Sequence, residues 1–315
     1  MQTLDKILDI EYPVILAPMF LVTTPEMVKI ALDNGISGAI PAMNFRKDGE
    51  LAKTINDIKQ YSSKSFGINL ITNRSNTRYK KQLKEILDTA PAYVISSLGS
   101  PKELINEAHK LGIKVFCDVV DLKYAKKTED LGADALIGVN SSAGGHCGIH
   151  SAEELIKILT QNCRIPVINA GGVSSHKDLK RLMSLGAAGA SVGTVFIASH
   201  ESPVSKEYKE ALVRFGKDDI VLTKKLSGVN TTVINTDYVK KIGTKPSFLE
   251  ILINKNSFLK KTAKSIITKT GMNKLEKAAF KATYKTFWCA GVSIENIKEI
   301  RHLNEIIREI TIENQ

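Results

Sequence analysis

Apolar and polar positions along the chain follow two rhythms that alternate. Short apolar runs predict strands at Val14–Met19, Ser37–Ala42, Phe66–Ile71, Tyr93–Leu98, Lys114–Val119, Ala135–Asn140, Pro166–Gly171 and Ala188–Phe196. Between them the period lengthens to that of amphipathic helices, near Thr24–Asn34, Asp48–Tyr61, Thr77–Asp88, Pro101–Leu111, Asp121–Leu131, Ser151–Gln161 and Ser175–Leu185, and a further helix follows the last strand. Gly35, Gly112, Gly132 and Gly186 stand where a helix must stop before the next strand. Eight near-continuous apolar strands, each followed by a helix, predict an α/β fold of the TIM (β/α)8 barrel type. An open doubly wound sheet is the competing arrangement, but Ala17-Pro18-Met19-Phe20 follows the first strand where a dinucleotide-binding glycine fingerprint would stand.

After Phe196 the alternation fails. A helix from Ser205 to Phe215, a run Val221–Ser227 and a polar segment around Asn230–Asn235 come next. From Lys255 to Lys285 there are nine lysines and one acid, Glu276. We therefore expect a barrel core over residues 1–200 and a C-terminal cap over 201–315, partly helical and lysine-rich, packed on the barrel. The chain has 315 residues and a formal net charge of +11, concentrated in that stretch. A solvated helical face is the plain account of it; attraction of an anionic substrate such as an acyl thioester, or a membrane surface, is the sharper one. Nucleic acid is disfavoured, because the stretch has no arginine and few aromatics to stack on bases. Asp5, Asp9 and Glu11 precede the first apolar run, no apolar segment is long enough to span a bilayer, and the four cysteines show no paired spacing. The expectation is a cytoplasmic protein with reduced thiols, no metal site and no transmembrane segment.

Candidate chemistry gathers in three glycine-rich loops. Ser141-Ser142-Ala143-Gly144-Gly145-His146-Cys147-Gly148 sets one imidazole on a strand-to-helix loop, the ligand-binding end of parallel α/β folds. Ala170-Gly171-Gly172 ends the seventh strand before a helix begun by Ser175, whose first-turn amides would meet an anion. Val192-Gly193-Thr194 repeats the pattern after the eighth, and these two loops form the recurring phosphate site of such barrels.

Ala17-Pro18-Met19, Phe66-Gly67-Ile68-Asn69, Ala143-Gly144-Gly145-His146, Ala170-Gly171-Gly172 and Val192-Gly193-Thr194, in this order, resemble the nitronate monooxygenase family, as do Leu226-Ser227-Gly228 and Trp288-Cys289-Ala290-Gly291-Val292 nearer the C-terminus. The resemblance implies an FMN-dependent flavoprotein oxidoreductase on a barrel, in a wider family that includes enoyl-acyl-carrier-protein reductases and NADH:quinone reductases. It places Ala17, Pro18 and Met19 against the flavin ring and Asn69 near its polar edge. Asn140 and Gly145 would lie along the cofactor, and Ala170, Gly171, Gly172, Gly193 and Thr194 around its phosphate. His146 matches the family's catalytic histidine, a base or orienting group in nitronate oxidation. Expected partners are dioxygen and a small substrate, a nitronate or an enoyl thioester or quinone, with a homodimer left open. The chain departs from the family pattern at Cys147, where many members carry arginine, at Asn140-Ser141-Ser142, and at Asn44-Phe45-Arg46, so substrate recognition stays open. Cys147 also invites comparison with inosine-monophosphate dehydrogenase-like barrels, whose nucleophilic cysteine lies nearby; a small space-filling thiol is the simpler account. A flavin carrier without turnover is a rival of a different class, and it would have no use for His146.

Overall fold

In a computed structural model, residues 2–73, 76–226, 229–245 and 287–313 are described; the lysine-rich stretch lies outside them. Eight parallel strands close on themselves: β1 (Val14–Leu16), β2 (Ser37–Pro41), β3 (Gly67–Ile71), β4 (Tyr93–Ser97), β5 (Lys114–Val119), β6 (Ala135–Val139), β8 (Val167–Ala170) and β9 (Gly189–Val192). A short strand, β7 (Gly145–His146), lies between β6 and β8 in sequence but outside the barrel. Closure comes from β1 against β9, with Val14 opposite Ala190 and Leu16 opposite Val192.

The two-residue period of each strand sorts side chains between two cores. Ile15, Tyr93, Ile95, Phe116, Ile137 and Ile168 fill the barrel interior, where Tyr93 stacks on Phe116 with ring centres 4.9 Å apart. Val14, Leu16, Val94, Val115 and Cys117 face outward onto the helices. At the N-terminal end of the strands a helix absent from the sequence expectation, α1 (Leu4–Leu8), inserts Leu4 and Leu8 into the interior cluster, and its Leu4 amide donates to Ala188 O at 2.8 Å. That end is plugged, so an opening for a ligand is left at the other.

The surrounding helices are α2 (Pro25–Asp33), α3 (Glu50–Tyr61), α4 (Tyr79–Thr89), α5 (Lys102–His109), α6 (Leu122–Asp130), α7 (Ala152–Asn162) and α8 (His176–Ser184). Four start at a side-chain cap: Thr24, Asp121, Ser151 and Ser175 each accept from a backbone amide three residues on. Gly35, Gly112, Gly132 and Gly186, expected as helix stops, all have positive φ.

Two strands end earlier than their apolar runs. Beyond Leu16 the Thr23 hydroxyl donates to Ala17 O and accepts from the Met19 amide, so Ala17–Phe20 leaves the sheet as a turn. Gly193, at φ −125° and ψ −70°, ends β9, and Thr194–Ile197 forms a helical turn instead of more strand. All four of those residues are buried, which left the sequence without a periodicity to read.

From Ser199 the chain leaves the barrel, and it returns at Arg301 through a bridge between those two residues. The terminal helix Leu303–Thr311 then packs between α8 and α2, with Leu303, Ile306, Ile307 and Ile310 joining the outer core. Within the excursion, β10 (Ile220–Thr223) and β11 (Thr231–Ile234) pair antiparallel, and β11 continues onto β7, with Thr231 opposite His146 and Thr232 opposite Gly145. The segment expected only to be polar is thus a strand that grips the His146 loop.

The interior packing predicts one outcome. A Cβ at Gly67 would be driven into the ring of fully buried Tyr93, whose hydroxyl lies 2.9 Å from Ser37 Oγ. Gly67→Ala gains backbone rigidity, worth about 0.5–1 kcal/mol, but overpacking costs about 1–3 kcal/mol. The variant is expected to unfold at lower denaturant concentration; an unchanged or raised midpoint would refute this packing.

Candidate active site

At the C-terminal ends of the strands lies a cavity of about 770 Å³, within the range that holds a mononucleotide-sized ligand. Of the residues singled out from sequence, Ala17, Pro18, Met19, Asn69, Gly145, His146, Ala170, Gly171, Gly172, Gly193 and Thr194 all line it. Asn140 does not: it is fully buried behind the wall, where it donates to Asn169 Oδ1 at 2.9 Å and Gly171 O at 3.1 Å and accepts from the Ser142 amide at 2.7 Å. Its side chain ties the His146 loop to the Gly171 loop.

Those two loops meet so closely that glycine is obligatory at one position. A Cβ at Gly171, where φ is +111°, would lie 2.5 Å from the Ala143 amide nitrogen and 2.6 Å from Asn140 Oδ1. Gly172 also has positive φ, and beside it Gly193 leaves its would-be Cβ 3.3 Å from Met19 Sδ. The result is a concave strip of bare backbone, the kind that accommodates an anionic group close to the main chain. Part of the start of α8 is engaged within the protein: Ser175 Oγ takes the Asp178 amide, and the Asp178 carboxylate takes the Ser174 amide and both serine hydroxyls. No residue from Ser174 to Asp178 lines the cavity. An anion in the cavity would face the Gly171–Val173 and Gly193–Thr194 backbone instead. Thr194 Oγ1 accepts from the Gly291 amide at 3.0 Å, which leaves its proton for a ligand.

His146 stands on the wall in β7. Besides the β7–β11 ladder, Thr232 Oγ1 donates to Ala143 O at 2.5 Å, the Cys147 amide donates to Asn230 O at 3.1 Å, and the Val292 amide donates to Ser142 O at 3.2 Å. Withdrawal from bulk water disfavours the charged imidazole and pushes its pKa down to about 4. The ring is neutral at pH 7 and has a nitrogen able to accept a proton. Burial acts on the neighbouring thiols in the opposite sense, raising Cys147 to about 11 and Cys289 to about 12. Both remain protonated, so the geometry supports the space-filling account of Cys147 over the nucleophilic one.

Sequence reasoning missed several residues of this wall. Asp118, on β5, faces the cavity with a carboxyl raised to about 6, burial being the main cause and the hydrogen bond donated by Ser97 Oγ acting the other way. Asn69 Nδ2 in turn donates to Ser97 Oγ at 2.6 Å and to Ile95 O at 3.2 Å. The signal was present: Asp118 follows Phe116 on the inward period of a strand whose central positions, Val115, Phe116 and Cys117, are apolar. Asn230 also lines the cavity, and its buried Oδ1 has no hydrogen-bond partner in the protein; only the long-range pairing of β11 brings it beside His146. Among the described residues no cluster of side chains is suited to a metal ion, and no helix is long and apolar enough to cross a membrane.

Comparison with known proteins finds relatives in sequence and in structure. The family model described as nitronate monooxygenase matches residues 1–313. A (3aS,4S,5R,7aS)-5-hydroxy-7a-methyl-1-oxo-octahydro-1H-indene-4-carboxyl-CoA dehydrogenase of Rhodococcus jostii is 28% identical over 239 residues, covering 76% of this chain and 67% of the relative. A nitronate monooxygenase of Paraburkholderia phytofirmans is 26% identical over 273 residues, 72% of this chain and 74% of the relative. Among solved structures, FabK from Thermotoga maritima superposes with a TM-score of 0.83 at 27% identity, covering 98% of this chain and 95% of that one.

The depressed imidazole has a measurable consequence. An unfolded chain binds a proton at histidine near pH 6.5, whereas folded His146 does so only near 4. Between those values the unfolded state holds more protons, so the contribution of His146 to stability falls as pH drops from 6.5 toward 4. The His146 ring resonances should therefore not titrate between pH 8 and 5, and His146→Gln should lose stability less steeply than the native protein over that window. A midpoint near 6.5 would place the ring in open solvent.

Proposed function

The chain belongs to the nitronate monooxygenase family, whose members are oxidoreductases, and from that premise we propose that it is an FMN-dependent enzyme oxidising a small nitronate or nitroalkane with dioxygen. The observation that carries the reading is a neutral imidazole, His146, on the wall of the same cavity as the bare Gly171–Gly172 and Gly193 backbone.

The residues present fit FMN. Gly171, Gly172 and Gly193 line the cavity with backbone that carries no side chain, and the Thr194 hydroxyl can donate to a phosphate oxygen. Ala17, Pro18 and Met19 supply an apolar wall for a flat ring, and Asn69, with both amide protons committed to protein acceptors, offers a ligand its Oδ1. A single phosphate site without a dinucleotide fingerprint supports a mononucleotide over FAD. Bound FMN would supply the two-electron oxidation and the reaction with dioxygen.

The chain's own residues would do the rest. An unprotonated ring nitrogen of His146 takes the proton from the carbon bearing the nitro group, a role that needs a base uncharged at neutral pH. The β7–β11 ladder holds that ring in place, and the Asn230 side chain, with an orphaned Oδ1, is positioned to orient the substrate. Apolar lining residues exclude water from the carbon acid. Turnover by this route stays constant down to about pH 5 and falls only as His146 protonates near 4.

A second reading is favoured by the relatives whose names include a carboxyl-CoA dehydrogenase and FabK: an NAD(P)H-dependent reductase acting on an enoyl thioester or a quinone. Anaerobic bleaching of the bound flavin separates the two. Reduction by propionate-3-nitronate but not by NADH or NADPH supports the oxidase reading; the reverse supports the reductase.

Purified protein should be yellow and release FMN on denaturation, and release of FAD would overturn the cofactor assignment. Gly172→Val, which forces a branched side chain onto a φ of +79° beside Ser142, should lose the flavin while keeping its helical signal. His146→Ala should keep FMN yet lose on the order of 10²–10⁴ in turnover of a neutral nitroalkane. It should lose less on the preformed nitronate, from which no proton need be removed. Equal losses on the two substrates would assign His146 to orientation or charge stabilisation instead of proton removal.

A further inference from the structure

Asp118 is the one carboxyl that the barrel interior carries into the cavity beside Asn69, and the function proposed above gives it no task. The groups packed directly against it are uncharged. On β4 its neighbour is the Ser97 hydroxyl, on β3 the row continues to Asn69, and on β6 it lies opposite Ile137. Cys117 adjoins it on its own strand, with a thiol raised to about 12 by burial first and by Asp118 among lesser causes. Asp121 and Tyr124 line the cavity beyond the end of β5, and the Tyr124 hydroxyl is bound to Gly99 O; His146 and Lys224 face the same cavity from other elements. Neither of the influences acting on the carboxyl is a cation: burial raises it, and the Ser97 hydrogen bond lowers it.

The hydrogen-bonding directions along this row are determined by the protein. Both Asn69 amide protons are spent on Ile95 O and Ser97 Oγ, so Asn69 presents an acceptor. The Ser97 proton goes to Asp118 Oδ2, which leaves Oδ1 of Asp118 as the atom a ligand or a proton can reach. The pyrimidine edge of a flavin reads carbonyl, N–H, carbonyl: acceptor, donor, acceptor. Asn69 Oδ1 suits the central donor. An ionised Asp118 would confront a carbonyl with a second acceptor and bury its charge beneath the ring, whereas a protonated Asp118 supplies the missing donor.

We propose that Asp118 is a cofactor-binding residue that meets the flavin's pyrimidine edge as a neutral carboxylic acid, so that binding of FMN takes up one proton from solvent onto its Oδ1. This rests on the FMN reading above. Because burial raises the carboxyl to about 6, below that pH the acid is already protonated and no coupling is expected; above it, affinity should weaken by up to about tenfold per pH unit until the bound-state value is reached. The phosphate of FMN has its own ionisation near pH 6, but that contribution is common to any variant.

The test compares FMN dissociation constants of the apoprotein and of Asp118→Asn, by quenching of flavin fluorescence from pH 5 to 8.5. The carboxamide is isosteric, always neutral and able to donate. The ratio of the native constant to that of the variant should be flat below pH 6 and climb above it. Calorimetry of FMN binding to the native protein at pH 7.5, in two buffers of different ionisation enthalpy, should count close to one more proton taken up than by the variant. This count does not depend on activity, and an uptake near one by the native protein stands even if the variant folds poorly. Parallel affinity curves, or equal proton counts, would overturn the proposal while leaving FMN as cofactor. Failure of FMN to bind at every pH would overturn the flavin reading itself, and this inference with it.

Discussion

A glycine-rich loop has no rigidity of its own, and fixing each residue in one backbone well costs about 1–2 kcal/mol. The antiparallel pairing of Gly145–His146 with Thr231–Thr232 supplies the restraint, together with the hydrogen bond from Thr232 Oγ1 to Ala143 O. On the other side Asn140 binds the same loop to Gly171 O, and the Gly291–Val292 backbone reaches Thr194 Oγ1 and Ser142 O. Three segments distant in sequence thus hold one histidine in register with the glycine strip. Removing any of them would leave the chemistry present but misplaced, and a displacement of about 1 Å is enough to cost two orders of magnitude in rate.

That restraint is possible because the barrel beneath it is closed at one end and incomplete at the other. Leu4 and Leu8 plug the N-terminal end, and Tyr93 and Phe116 fill the middle of the interior with stacked rings. The next inward positions toward the opening carry Asn69, Ser97 and Asp118 in place of aliphatic side chains. The interior therefore changes from apolar to hydrogen-bonding at the depth where a ligand would begin. The excursion between Ser199 and Arg301 builds upon that opening: its bridged ends let it be inserted without disturbing the ring of helices, which Leu303–Thr311 completes.

Local pattern was enough to read the eight strands, because each is a short, mostly apolar run set between amphipathic helical segments. It was enough for the glycine strip as well, since Gly171, Gly172 and Gly193 announce close backbone approach wherever they fall after a parallel strand. It failed where long-range pairing decides. Thr231 to Ile234 reads as polar chain until β7 is known to lie beside it. The family resemblance places Asn140 along the cofactor, whereas its side chain is buried and binds Gly171 O, serving the loop's geometry. Asp118 was legible in principle as a charged residue on the inward period of β5, but a strand identified by the apolar run as a whole hides the one position that breaks the rule. In each instance the information lay in an exception to the local pattern.

The electrostatic character of the site follows from the same architecture. Burial drives four groups on the cavity wall toward their uncharged forms: His146 to about 4, Cys147 to about 11, Cys289 to about 12 and Asp118 to about 6. An anionic group on the glycine strip is then met by backbone dipoles, with no buried cation needing compensation in its absence. Such uncharged groups would suit the reaction proposed above, in which the negative charge arrives with the substrate. On the function proposed above, the protein need only keep one imidazole uncharged and in place, and the ladder between β7 and β11 holds the backbone that carries it.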